Sequence, residues 1–118
     1  MTSGSRHWPV RLAAAAENDI RQILSWTLEN FGETQARTYA ETLSATLEAL
    51  ADGPTILGVR SRPDIGRSIS SIHVARLGRR GRHFILFRTG RHENQDVIDV
   101  LRILHDSMDF QRHLPPED

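Results

Sequence analysis

The chain has 118 residues, with fifteen Arg+Lys against fifteen Asp+Glu, six histidines and no cysteine. That length suits one domain with a single core, and the missing cysteine excludes disulfides, thiolate catalysis, Cys-ligated zinc and iron–sulfur chemistry. All fifteen cations are arginine, and they are unevenly placed: residues 60–91 carry nine against Asp64 alone, whereas residues 1–59 carry four Arg with seven acids and residues 92–118 two Arg with seven acids. A basic middle third therefore lies between two acidic stretches.

The opening MTSGSRHWPV lacks the apolar core of a signal peptide, and no run approaches membrane-spanning length, so a soluble cytoplasmic domain is expected. Residues 8–12 (WPVRL) read as a short strand, which Pro9 confines to an edge or a strand start. From Ala13 the period becomes helical. Ile20, Ile23, Leu24, Leu28 and Phe31 form one apolar stripe, and Gly32 suits a left-handed stop. A second helix is predicted from about Glu33 to Asp52 on a stripe of Ala36, Tyr39, Ala40, Leu43, Leu47, Leu50 and Ala51, closed by Gly53-Pro54. Two such helices joined by one or two residues form an antiparallel hairpin.

Residues 54–71 are aperiodic and rich in turn formers, which predicts a connecting loop. Strands are predicted over 72–77, 83–88 and 97–104, with LGRRGR turning between the first two and TGRHENQ looping before the third. Helical spacing also fits 97–104, but Val97, Ile98, Val100 and Ile103 favour a strand. The last two strands are apolar on both faces, as central strands are. Residues 105–118 predict a short helical tail, with fraying at 1–7 and 115–118. Together these elements predict a single α+β domain, an N-terminal strand and an antiparallel two-helix hairpin packed on a small antiparallel sheet.

Chemistry is harder to find. The phosphate-loop signature needs a lysine, no GxGxxG is present, and HENQD is not HExxH, so no cofactor or metal motif emerges. No two histidines stand three or four apart, and each reads as a solvated or hydrogen-bonded residue. His105-Asp106-Ser107 contains hydrolase residue types, but adjacent residues do not easily converge on one point. The basic block is the stronger signal. Arg76, Arg82, Arg88 and Arg102 on adjacent strands, with Arg79 and Arg80 at the turn, suit bidentate grip on phosphates or carboxylates. A solvated sheet edge with a compositional preference for arginine is the alternative. Trp26 lies off the first helical stripe, as an exposed interface anchor or a ring covered by the second helix or a terminus. Tyr39 sits inside the second stripe and reads as core.

The residues Ala16, Asp19-Ile20, Ile23, Trp26-Thr27, Phe31-Gly32, Gln35-Ala36 and Tyr39, then Pro54 and Gly58, resemble in order and spacing the start of ParE toxins. The match strengthens through GRHFILFR at 81–88 and VLRILHDSMDFQRHL at 100–114. The pattern ILH-x-x-MD-x-x-x-HL is a distinctive tail of ParE-type members of the RelE/ParE superfamily. The resemblance spans roughly residues 10–114 and implies a strand–two-helix–three-strand fold.

It also implies the toxin of a type II toxin–antitoxin pair. Its partner would be a ParD-like antitoxin with a ribbon-helix-helix DNA-binding dimer and an arm that wraps the toxin. The complex would be a heterotetramer or larger, touching operator DNA only through the antitoxin, with no membrane contact. Characterised ParE toxins poison DNA gyrase by trapping its DNA-cleaved state, so the resemblance implies a growth inhibitor that binds rather than an enzyme, and no cofactor. The RelE branch instead cleaves mRNA on the ribosome with lysines, arginines and a tyrosine near the C-terminus. This chain has no lysine and its one tyrosine is Tyr39. Were it a ribonuclease, Arg76, Arg102 and His105 would serve, with arginine stabilising a phosphorane and histidine acting as general acid or base. The residues expected at the antitoxin or target interface are Trp26, Arg76, Arg79, Arg80, Arg82, Arg88, Arg102, His105, Met108, Arg112, His113 and Leu114.

Overall fold

One glycine organises the helical layer. In the computed structural model, which describes residues 7–108, helix α1 (Ala14–Phe31) ends and helix α2 (Glu33–Ala49) begins at Gly32. The Gly32 N–H donates to Leu28 O at 3.0 Å, and its own carbonyl accepts the Ala36 N–H at 3.1 Å. A φ of 93° with ψ of 176° is backbone that glycine alone adopts without strain. The chain reverses within one residue, and the two helices pack as the predicted hairpin. A 3-10 turn, Leu50–Asp52, carries α2 to the expected stop at Gly53. The α1 stripe divides: Ile20, Ile23 and Leu24 pack on the core, but Leu28 and Phe31 are 50% and 63% exposed. The apolar period runs on past the layer that covers it.

Five strands, β1 (Val10–Leu12), β2 (Arg60–Ser61), β3 (Ser70–His73), β4 (His83–His92) and β5 (Gln95–His105), lie in the order β1-β5-β4-β3-β2. The architecture is α+β, and β4 and β5 are the central strands their two-sided apolar pattern predicts. The sheet is mixed rather than wholly antiparallel, because β1 pairs parallel to β5. Neighbours joined by hairpins must be antiparallel, whereas the helical crossover frees β1 from that constraint. Strand β2 lies inside the stretch predicted as loop, and two paired residues are too few to show a period.

Other strand boundaries move, and β3 begins at Ser70 rather than 72. Strand β3 ends at His73 rather than 77, because the His73 ring accepts the Ala75 N–H at 3.1 Å and caps a 3-10 turn over Val74–Leu77. Strands β4 and β5 run on through TGRHENQ to a two-residue turn at Glu93 and Asn94, both left-handed (φ 53° and 64°), which matches hairpin twist. Those outer residues of β4 are largely exposed, so no apolar alternation marks them. Apart from a turn that bonds Met108 N–H to His105 O at 3.0 Å, the predicted tail lies outside the described residues. So do the ends expected to fray, His7 excepted.

Leu43, Leu50, Ile72, Val74, Ile85, Phe87, Ile98, Val100 and Ile103 are buried together beneath the helices. Leu86 and Leu104 form a second cluster with Phe84 and Ile65. A bulge decides which β5 side chains enter the main core. Phe87 pairs with Val100 and Leu86 with Arg102, leaving Leu101 unmatched. Strict alternation would have set Arg102 beside Ile98 and Val100; the extra residue puts Ile103 there, and the Arg102 guanidinium pairs with Asp19 of α1 instead.

Candidate functional site

Antiparallel pairing brings the end of β3, the start of β4 and the end of β5 to one end of the sheet. These positions are His73, His83 and His105. Asp106 follows directly, Arg82 precedes β4, and α2 contributes Tyr39. The Tyr39 hydroxyl shares a hydrogen bond of 2.6 Å with His83 Nδ1 and accepts the Arg82 backbone N–H at 3.2 Å. The His83 ring meets the His105 ring edge-on, with centroids 5.3 Å apart. His73 accepts the Ala75 N–H at Nδ1, so its Nε2–H donates to Asp106 at 3.1 Å. Arg82 holds the same carboxylate through Nε and a terminal nitrogen at 3.2 Å.

The electrostatics follow from these contacts. Hydrogen bonds from Arg82 and then His73 pull the Asp106 carboxyl down to about 2. Burial, reinforced by neighbouring His105, lowers His83 from 6.5 to about 4, which keeps the ring neutral beside Tyr39. Burial raises Tyr39. Close packing at Gly81 sets the approach of α2: a Cβ there would collide with Val74 and stand 2.8 Å from the Tyr39 hydroxyl. No trio of acidic or imidazole side chains among the described residues is arranged to hold a metal ion.

Several expectations change here. His73, His83 and His105 are hydrogen-bonded residues, as expected, but the fold also gathers them in one cluster with Asp106. Tyr39 is half-buried, with its hydroxyl at that cluster rather than in the core. His105 and Ser107 do converge, because the turn after β5 sets Ser107 Oγ 2.8 Å from His105 Nδ1. That nitrogen also accepts the Ser107 backbone N–H at 3.2 Å, the pattern of a local turn and not of an activated nucleophile.

Beside the cluster lies an open cleft of about 520 Å³, lined by Arg60, Ser61, Arg62, Asp64, His73, Arg76 and Phe84. Arg62 donates to Asp64 at 3.1 and 3.0 Å and lies over the Phe84 ring, 5.7 Å from its centroid. The His73 ring packs edge-on against Phe84 at 4.7 Å, joining the cleft to the histidine cluster.

The arginines do not form the single strand-borne patch expected. Arg76 is on the 3-10 turn, Arg79, Arg80 and Arg82 are in the connection to β4, and only Arg88 and Arg102 lie on strands. Arg76, Arg79, Arg80 and Arg88 are exposed, and among the described residues none joins an ion pair. Arg102 is committed inward. Its Nε and a terminal nitrogen donate to the two Asp19 oxygens at 2.8 and 2.9 Å, and Asp19 also accepts the Ile103 N–H at 2.9 Å. Arg76, Arg102 and His105 therefore do not present three free groups to one substrate. Trp26 is 57% exposed and meets Phe31 edge-on at 5.6 Å. Met108 is exposed at the turn after β5. Arg112, His113 and Leu114 lie outside the described residues.

His73, His83, Asp106, Arg60 and Arg62 were missed as site residues. One signal was available for the histidines: they mark successive ends of three strands, which a meander brings together. Arg60 and Arg62 carried no such signal, because β2 was invisible.

A family model described as the ParE toxin of the type II toxin–antitoxin system parDE matches residues 10–110. The chain is 29% identical to Toxin ParE1 of Caulobacter vibrioides over 106 residues, 90% of this chain and 97% of that protein. It is also 29% identical to Toxin ParE1 of Mycobacterium tuberculosis over 104 residues, 87% of this chain and 94% of that one. No helix among the described residues is long and apolar enough to cross a membrane.

Proposed function

Because the chain belongs to the ParE toxin family of type II toxin–antitoxin systems, we propose that it arrests growth in the cytoplasm by binding DNA gyrase, acting as a binding inhibitor and not as an enzyme. A ParD-like antitoxin neutralises it in a hetero-oligomer. The family match over residues 10–110 carries the reading, and the surface supports it. Arg76, Arg79, Arg80 and Arg88 offer exposed guanidiniums to an acidic partner segment, where bidentate pairing favours both affinity and on-rate. Trp26, Leu28 and Phe31 give the helical hairpin an exposed apolar end, the kind of anchor an amphipathic arm covers.

Inducing the chain alone in bacteria and scoring trapped gyrase–DNA cleavage complexes tests the target. Accumulated complexes are expected; growth arrest without them rejects gyrase. A second reading, mRNA cleavage, draws on the convergence of His73, His83 and His105 at Asp106. It requires message cut in arrested cells and protected by His105→Ala, so intact message removes it.

A further inference from the structure

The cleft between β2, the 3-10 turn after β3, and Phe84 contains three guanidiniums and one carboxylate. Asp64 is committed to Arg62, so Arg60 and Arg76 face the same space with no carboxylate among the described residues paired to them. Concentrating like charge in one concavity costs free energy unless an anion enters it. Arg76 is also positioned. Its stem lies against Gly58, where a Cβ would stand 3.1 Å from Arg76 Cβ, 3.3 Å from Cγ and 3.2 Å from Nε. Gly58 has φ of +99°, so this close approach and the backbone both select glycine. A guanidinium packed in this way loses less freedom on binding than a solvated one.

We propose that this cleft is a phosphomonoester site, with Arg60 and Arg76 gripping the phosphate, Arg62 completing the cationic wall, and the attached organic group lying against Phe84. The clustering favours phosphate over a peptide carboxylate. A single concavity lined by three arginines suits a group with more acceptor oxygens and charge than one carboxylate offers, whereas an acidic peptide would be met by a row of cations along its length. The volume is in the range of small-molecule sites and exceeds what a bare anion needs. A free nucleotide and the 5′-phosphate of a nucleic-acid strand share this chemistry.

Calorimetric titration of the full chain tests it, using adenosine 5′-monophosphate, adenosine, inorganic phosphate, a short oligodeoxynucleotide with and without a 5′-phosphate, and a Glu-rich decapeptide. Binding of the monophosphate with no measurable binding of adenosine is expected, weakened about tenfold by either Arg60→Gln or Arg76→Gln. Arg37→Gln, on the exposed side of α2, should bind as the parent does, and unchanged urea midpoints show that the variants fold. A 5′-phosphorylated strand binding more tightly than the mononucleotide identifies strand ends as the source, and the reverse identifies free nucleotides. Equal binding of adenosine, insensitivity to both arginine variants, or displacement by the decapeptide with no response to phosphate would overturn the proposal.

Discussion

Replacing Asp19 by alanine tests how the bulged strand is held to the helices. The Asp19 side chain is 8% exposed and that of Arg102 23%, and the carboxylate accepts three hydrogen bonds, two from the guanidinium and one from the Ile103 N–H. Asp19→Ala orphans a buried backbone donor, worth about 1–3 kcal/mol, and takes its carboxylate from a partly buried cation. Full burial would put that loss at about 3–5 kcal/mol; the water that reaches Arg102 lowers the whole cost to about 3 kcal/mol. Arg102→Met leaves the carboxylate one backbone donor and costs about 2 kcal/mol. The double variant retains the orphaned Ile103 N–H but no unpaired charge, so it should cost about 2 kcal/mol and fall well short of the sum of the singles. Urea unfolding followed by circular dichroism measures all three. Thermal midpoints should drop by roughly 10 °C for Asp19→Ala. Additive single costs, or an Asp19→Ala cost under about 1 kcal/mol, would refute the coupling.

Gly81→Ala drives a methyl into Val74 and the Tyr39 hydroxyl; a loss of about 1–3 kcal/mol and loss of the Tyr39–His83 hydrogen bond by NMR are expected, and an unchanged melt contradicts the packing. Stability should fall between about pH 6.5 and pH 4, because the unfolded chain protonates His83 near 6.5 and the folded one near 4. The full effect of that difference is about 3 kcal/mol, reduced by solvent at the partly exposed ring to ~2; His83→Gln should flatten this slope, and an unchanged slope assigns it elsewhere. Asp106 has the opposite charge type but the same direction: its depressed value makes its contribution full above about pH 4 and lost toward pH 2. Trp26→Ala should change stability by under about 0.5 kcal/mol, since the ring is mostly exposed. Iodide should quench Trp26 in the free chain and lose access in the antitoxin complex; retained access removes Trp26 from that interface.

The sequence by itself determined the elements that carry a long period. Both helices, the reversal at Gly32, and the central strands β4 and β5 are legible because each buries a repeating face, and burial imposes the spacing. The ordered motifs between residues 10 and 114 determined the family in the same way. Contacts between distant residues are another matter. Nothing local to Asp19 or Arg102 announces a pair 83 positions apart, and the bulge at Leu101 that keeps Arg102 from the place Ile103 takes is a property of the pairing between two strands. His73, His83 and His105 lie in separate segments, and only the meander's return brings them to Asp106. Strand β2, two residues long, exists because Ser70 and Ser71 offer it an edge. The arginine cleft depends on that strand, on the His73 cap and on the glycine under Arg76. Period is written along one stretch of chain; a site is made where several stretches meet, and tertiary packing alone decides which do.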